Sequence, residues 1–306
     1  MRKMAILLAA VMLATAAAQA QEQEKPAAPA GDAARAQELL KAARAALGGE
    51  AKLAAVKSLS VSGIRTMQSP RGGIESELKL DFQMPDKYRR TTTTVFGGNE
   101  ISVAEIVNGA EAGVESSNPG GLGGPGSGGA VRGPGGPGGR APDPARQRRT
   151  LQDEYARVVM AILLAPPSNV PLEFFYTGDG DVNGDPCHVL EMKSADRVLG
   201  QLLLDANSKQ PRAIRWRGLG GGAAFRGGAG GGEPRREPPK QGEAPPPPRE
   251  LPIELQITAY RTVEGLQFPS QIMRLVDGEV REEWLLTRYR LNAAIKPSQF
   301  EIKKQQ

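Results

Sequence analysis

The chain has 306 residues, with 39 Lys and Arg against 34 Asp and Glu. The basic pairs Arg89-Arg90, Arg148-Arg149 and Arg235-Arg236 are scattered rather than gathered on one element, so no stripe for nucleic acid is expected. Cys187 is the single cysteine, which excludes a disulfide framework and leaves a small core residue as its simplest role.

Residues 1–20 read as a cleaved secretory signal: Arg2 and Lys3 open it, Ala5 to Ala17 form an apolar run too short for a membrane anchor, and Ala18-Gln19-Ala20 is a small-residue cleavage site. No cysteine follows to accept a lipid. A soluble exported protein is expected, periplasmic in a bacterial cell, with a flexible linker over 21–31. Two stretches, 118–144 and 218–249, are dominated by Gly and Pro and bury too little apolar surface to offset their ordering entropy. They are expected to be disordered inserts in a single domain spanning 32–303, and about 200 residues remain for its core.

Asp32 suits the cap of a helix whose Ala36, Leu39, Leu40, Ala43 and Leu47 fall at helical spacing, closed by Gly48-Gly49. A short helical stretch, Glu50 to Val56, follows. The clearest strand is Ile74 to Met84, where apolar residues alternate with Glu75, Glu77, Lys79, Asp81 and Gln83. Strands also fit Ser58 to Thr66, Lys87 to Phe96, Glu100 to Asn108, Leu172 to Thr177, His188 to Lys193, Leu199 to Leu204, Arg212 to Trp216, Leu251 to Tyr260, Gln271 to Val276 and Val280 to Leu291. Asp179-Gly180, Asn183-Gly184 and Asp277-Gly278 read as turns. Between the two runs of strands, Gln147 to Ala165 reads as a helix with Leu151, Tyr155, Val158, Val159, Ile162 and Leu163 on one face, stopped by Pro166-Pro167. Helices do not alternate with strands, so a parallel nucleotide-binding sheet is excluded; the order predicts a mainly β, α+β fold in which helices cover one long antiparallel sheet.

Several stretches resemble one family. Ala36-Gln37-Glu38-Leu39-Leu40 with Leu47-Gly48-Gly49, then Leu59-Ser60-Val61-Ser62-Gly63 and Phe82-Gln83-Met84-Pro85-Asp86-Lys87-Tyr88, are similar to periplasmic proteins of the LolA type, carriers of outer-membrane lipoproteins. Val182-Asn183-Gly184-Asp185-Pro186, Leu204-Asp205 leading to Pro211-Arg212, Val263-Glu264-Gly265-Leu266-Gln267-Phe268-Pro269 and Phe300-Glu301-Ile302-Lys303 agree in order. The resemblance implies a LolA/LolB-like unclosed antiparallel β-barrel wrapped around covering helices. It also implies an apolar cavity for lipoprotein acyl chains or related lipids, an inner-membrane donor and an outer-membrane acceptor. The two inserts depart from the family, and no charged constellation matching a release mechanism is legible.

If the strands curl, one face of each points at the helices. The inward candidates are Leu78, Leu80, Phe82 and Met84, with Leu251, Ile253, Leu255 and Ile257, and Trp284 and Leu286. Alternation alone suits both a packed core and a lined hollow; the resemblance points to the hollow, with an acyl chain among these side chains.

No reaction is indicated. His188 is the sole histidine, and as a strand neighbour of Cys187 it points to the opposite sheet face. Metal ligation lacks the further spaced ligands. Glu282-Glu283 read as solvated acids, and the glycine spacings in 218–232 lack a strand-to-helix junction. The expectation is a non-catalytic, cofactor-free monomer that carries or binds lipid, without nucleic acid. The alternative is an envelope sensor or protein-interaction module on the same fold.

Overall fold

A computed structural model describes residues 32–69, 72–117, 143–195, 197–219 and 250–303. The signal, the linker and nearly all of both Gly/Pro-rich stretches lie outside the described residues. Helix α1 spans Ala33–Ala46; the Asp32 carboxylate accepts from Arg35 N at 2.8 Å, and Ala36, Leu39, Leu40 and Ala43 form its buried face. A short helix, α2, follows over Glu50–Ala54. Five strands then run as a meander: β1 Ser58–Ser69, β2 Gly72–Gln83, β3 Lys87–Phe96, β4 Asn99–Asn108 and β5 Glu111–Ser116. After helix α3, Pro144–Leu163, seven more do the same: β6 Glu173–Val182, β7 Asp185–Ser194, β8 Arg197–Asp205, β9 Pro211–Gly218, β10 Leu251–Val263, β11 Leu266–Val276 and β12 Glu279–Leu291.

The two meanders join where β1 pairs with β12, giving one antiparallel sheet of twelve strands in the order β5-β4-β3-β2-β1-β12-β11-β10-β9-β8-β7-β6. Its edges, β5 and β6, are the two strands that flank α3 in the chain, so α3 must travel from one edge to the other. Laid flat, twelve strands at ~4.8 Å would be roughly 50 Å wide, yet α3 is about 30 Å long and touches β4 and β5 as well as β9 and β11. The sheet therefore curls around the helix. The edges do not pair with each other, and the result is the unclosed antiparallel barrel around helices that was expected.

Several boundaries differ from the sequence reading for identifiable reasons. Strand β5 was not foreseen, because Glu111 to Ser116 has only Ala112 and Val114 to place inward. Asp179-Gly180 is not a turn but part of β6, which bulges between Tyr176 and Gly178 and turns only at Asn183-Gly184. Strand β11 begins five residues before Gln271, because bulges in β10 between Ile257 and Tyr260 accommodate Pro269 within the pairing. Helix α3 starts at Pro144 with Asp143 accepting from Ala145 N at 3.0 Å, and ends at Leu164 in a left-handed conformation, ahead of the prolines.

Two tethers complete the fold. Gln267 N donates to Leu47 O at 2.9 Å, tying the end of α1 to the β10–β11 turn. On the convex face, the C-terminal segment with its 3₁₀ turn Pro297–Phe300 crosses β3 and β4, with Phe300 wholly buried.

Candidate functional site

Register decides which side chains meet inside. Leu59, Val61, Gly63 and Arg65 of β1 stand opposite Phe82, Leu80, Leu78 and Ser76 of β2, and opposite Leu291, Tyr289, Leu286 and Trp284 of β12. The β12 set mixes odd and even positions. An irregularity between Ser62 and Gly63 leaves Thr287 as an extra residue, so Tyr289 and Leu286 both face inward. Across the sheet, Trp284 opposes Ile272, which opposes Ile257, and Arg274 opposes Leu255.

Seven of the ten sequence candidates, Leu78, Leu80, Phe82, Leu255, Ile257, Trp284 and Leu286, fall in one apolar cluster with the inner faces of α1 and α3, each no more than 1% exposed. Met84 lies past the end of β2, half-buried against that cluster. Ile253 is buried outside it, and Leu251 is half-buried at the start of β10, opposite Gly218. The side chains of α3 fill the space over these residues: Glu154 to Leu163 are all buried, and Tyr155 stacks on Tyr88 at 5.2 Å and lies 6.5 Å from Phe82. Three surface clefts are polar and lined by none of the ten. One of about 290 Å³ lies between Lys79, Asp81, Arg89 and the C-terminal segment, one of about 170 Å³ adjoins it, and one of about 590 Å³ lies beside Arg148, Arg149 and Asn169.

Next to the apolar layer lies a charged one that the sequence reading missed. Glu154 of α3 receives Arg274 from β11 at 2.7 and 3.4 Å, Arg90 from β3 at 3.6 Å and Arg157, one turn along the same helix, at 4.0 Å. Arg90 also pairs with Glu105 at 2.7 Å. Arg65 pairs with Glu282, which accepts from Trp284 Nε1 at 2.6 Å. Arg157 Nε donates to Leu199 O at 2.9 Å, and its guanidinium lies 4.6 Å from the Trp216 ring, with that of Arg274 at 5.3 Å from the same ring. Glu282 is thus not a solvated acid: its place on the inward row beside Trp284, opposite Arg274, buries it to 6% exposure. Its neighbour Glu283 accepts from Gln271 Nε2 at 2.6 Å.

The electrostatics follow from this crowding. Burial alone would raise the Glu154 carboxyl, but Arg274, Arg90 and Arg157 outweigh it and hold it below the usual range. Burial likewise opposes Glu282, and Arg65 wins, taking it down to about 2. Burial pushes Arg157 down further than Glu154 and Asp153 restore it. Two buried polar atoms, Arg90 Nη1 and Tyr88 Oη, have no hydrogen-bond partner. The sequence signal was present: Arg90 shares the parity of Tyr88, Glu154 lies one turn before Val158, and Glu282 is in phase with Trp284 and Leu286.

His188 lies away from this interior, on the β6 to β8 side of the sheet. Its Nδ1 is 2.7 Å from Asp179 Oδ1 and its Nε2 is 3.1 Å from Lys209 Nζ. Cys187 is buried with Val182, Leu203 and Ala213, and burial raises its thiol. No dyad forms. Among the described residues, no group of three or more His, Cys, Asp and Glu could hold a metal ion, and no helix is long and apolar enough to cross a membrane.

No family model matches the sequence, and no curated protein is significantly similar to it. Solved structures of similar outline include a domain described as an outer membrane lipoprotein-sorting protein from Vibrio parahaemolyticus, at 11% identity and TM-score 0.45, covering 88% of this chain and 97% of that one. A LolA superfamily protein from Nitrosomonas europaea gives the same four values. A DUF1329 family protein from Desulfovibrio piger is 9% identical with TM-score 0.43, covering 87% of this chain and 97% of that one. Likeness at this level assigns no function.

Proposed function

We propose that this chain is a non-catalytic carrier or binder of lipoprotein acyl chains or related lipids, acting as a monomer in the periplasm between an inner-membrane donor and an outer-membrane acceptor. The leader-like residues 1–20 support export. The observation that carries the reading is the position of α3, a helix buried from Glu154 to Leu163 yet laid over a sheet whose two edges do not pair with each other. Lifting α3 bares an apolar trough floored by Leu78, Leu80, Phe82, Leu255, Ile257, Trp284 and Leu286, with Met84, Leu251 and Ile253 at its margins. An acyl chain gains about 0.8 kcal/mol per methylene buried there, and the displaced side chains of α3 lose a comparable term. The exchange is near balance, which suits a protein that must both load and release.

The test is to hold α3 down. Asp153 and Arg197 form an ion pair between α3 and β8; a reducible thiol crosslink between D153C and R197C should abolish uptake of a fluorescent fatty acid, and dithiothreitol should restore it. Unchanged uptake with the crosslink in place would refute the trough. A second reading, an envelope sensor or protein-interaction module, is favoured by Val95 and Phe96, each 70% exposed beside the β3–β4 turn. Mass spectrometry of lipid extracted from the purified protein separates the two: stoichiometric lipid supports the carrier, and lipid-free protein retaining one envelope protein supports the module.

A further inference from the structure

We propose that Glu154 holds the seat of a ligand's anionic head group, so that the amphiphile admitted under α3 is one whose head carries an oxyanion, carboxylate or phosphate. This rests on the trough reading and specifies its cargo. The buried layer contains four guanidiniums, of Arg65, Arg90, Arg157 and Arg274, against three carboxylates, of Glu105, Glu154 and Glu282. Glu105 and Glu282 are fixed in the sheet; Glu154 alone belongs to the element that must move.

When α3 lifts, Glu154 leaves with it. Arg90 keeps Glu105 and Arg65 keeps Glu282, but Arg274 loses the one carboxylate it ion-pairs with among the described residues and retains only the longer-range attraction of Glu282 on the strand opposite. A guanidinium left unpaired inside an apolar trough is costly. A ligand made only of hydrocarbon leaves that cost standing, whereas an oxyanion head placed where Glu154 was removes it, with bidentate geometry open to Arg274. Two polar atoms without a hydrogen bond border the same place: Arg90 Nη1, which reaches Glu154 only as an ion pair at 3.6 Å, and Tyr88 Oη are both buried, and each can donate to an oxyanion placed where the Glu154 carboxylate was. Ligand and helix would then compete for one set of arginines, so loading and opening become a single event.

The experiment measures displacement of a neutral fluorescent dye from the full chain by amphiphiles sharing a twelve-carbon tail: laurate, dodecyl phosphate, dodecyl maltoside and dodecyltrimethylammonium. The expected result is that laurate or dodecyl phosphate binds at least tenfold tighter than the neutral and cationic probes, with the order of those two identifying carboxylate or phosphate as the preferred head. Glu154→Gln should tighten the anionic probes several-fold more than the maltoside, and Arg274→Gln should erase the preference by weakening laurate and dodecyl phosphate about tenfold more than the maltoside. Equal affinity of all four for the wild-type chain overturns this inference and leaves the trough standing. Binding of none overturns the trough reading itself. The wild-type series decides even where a variant fails to fold.

Discussion

Gly63 of β1 lies against Leu285 of β12 so closely that a Cβ on the glycine would stand 2.1 Å from the leucine carbonyl oxygen. The approach occurs where the β1–β12 register shifts and lets Tyr289, Leu286 and Trp284 all face inward. That junction joins the two halves of the sheet. Gly63→Ala should therefore cost about 2 kcal/mol or more through overpacking of backbone on backbone. Urea unfolding checks it, and a midpoint within error of wild type would show that the two strands part freely.

Tyr155 separates packing from hydrogen bonding. Its hydroxyl donates to Pro85 O at 3.0 Å, but that carbonyl also accepts from Ser168 N at 3.4 Å, so losing the hydroxyl orphans no acceptor. Tyr155→Phe should cost about 1 kcal/mol or less. Tyr155→Ala removes the ring stacked on Tyr88 and should cost roughly 3–5 kcal/mol. Equal losses in the two variants, by denaturant unfolding, would mean that the hydroxyl rather than the ring holds α3 down.

The C-terminal segment is a third handle, on the opposite face of the sheet. Phe300 is fully buried, Arg89 donates to Gln299 O at 2.8 Å, and Lys303 N donates to Glu115 at 2.8 Å. Phe300→Ala should cost about 3 kcal/mol and lower amide-exchange protection in β4 and β5 before β10 to β12. Uniform loss of protection would show that the segment stabilises the whole sheet and not its β5 edge.

How far the sequence was legible depended on parity. Strand β2 alternates cleanly, and its Leu78, Leu80 and Phe82 lie in the apolar cluster. In β12 the extra residue at Thr287 breaks the alternation, so no single face of Val280 to Leu291 could be picked out by a period of two. The charged layer was illegible for a different reason: arginine is ordinarily a surface residue, and only the three-dimensional meeting of Arg90, Arg274 and Glu154, drawn from two strands and a helix, gives those side chains a reason to be inside. Strand β5 escaped because an edge strand with one face half-wet needs few apolar residues. The curl of the sheet follows from strand order, which pairs β1 with β12 across more than two hundred residues and which no local pattern encodes.

The same buried carboxylates set the response to acid. Glu282 has its carboxyl lowered from 4.5 to about 2, and Glu154 is lowered as well, so both are ionised in the folded chain at pH values where their unfolded counterparts bind protons. Protons then favour the unfolded state, and the stabilisation, fully present above about pH 5, falls away as pH drops toward 2. For Glu282 the shift corresponds to at most roughly 3 kcal/mol, reduced by whatever pairing survives in the unfolded chain. Glu282→Gln keeps an acceptor for Trp284 Nε1 but strands Arg65, so it should be less stable than wild type by about 3 kcal/mol at pH 7. The gap should narrow as pH falls, because acid removes from wild type the charge that the variant already lacks. Urea unfolding at pH 7, 5 and 3 measures that convergence; parallel curves across the range would mean that other carboxylates carry the acid transition.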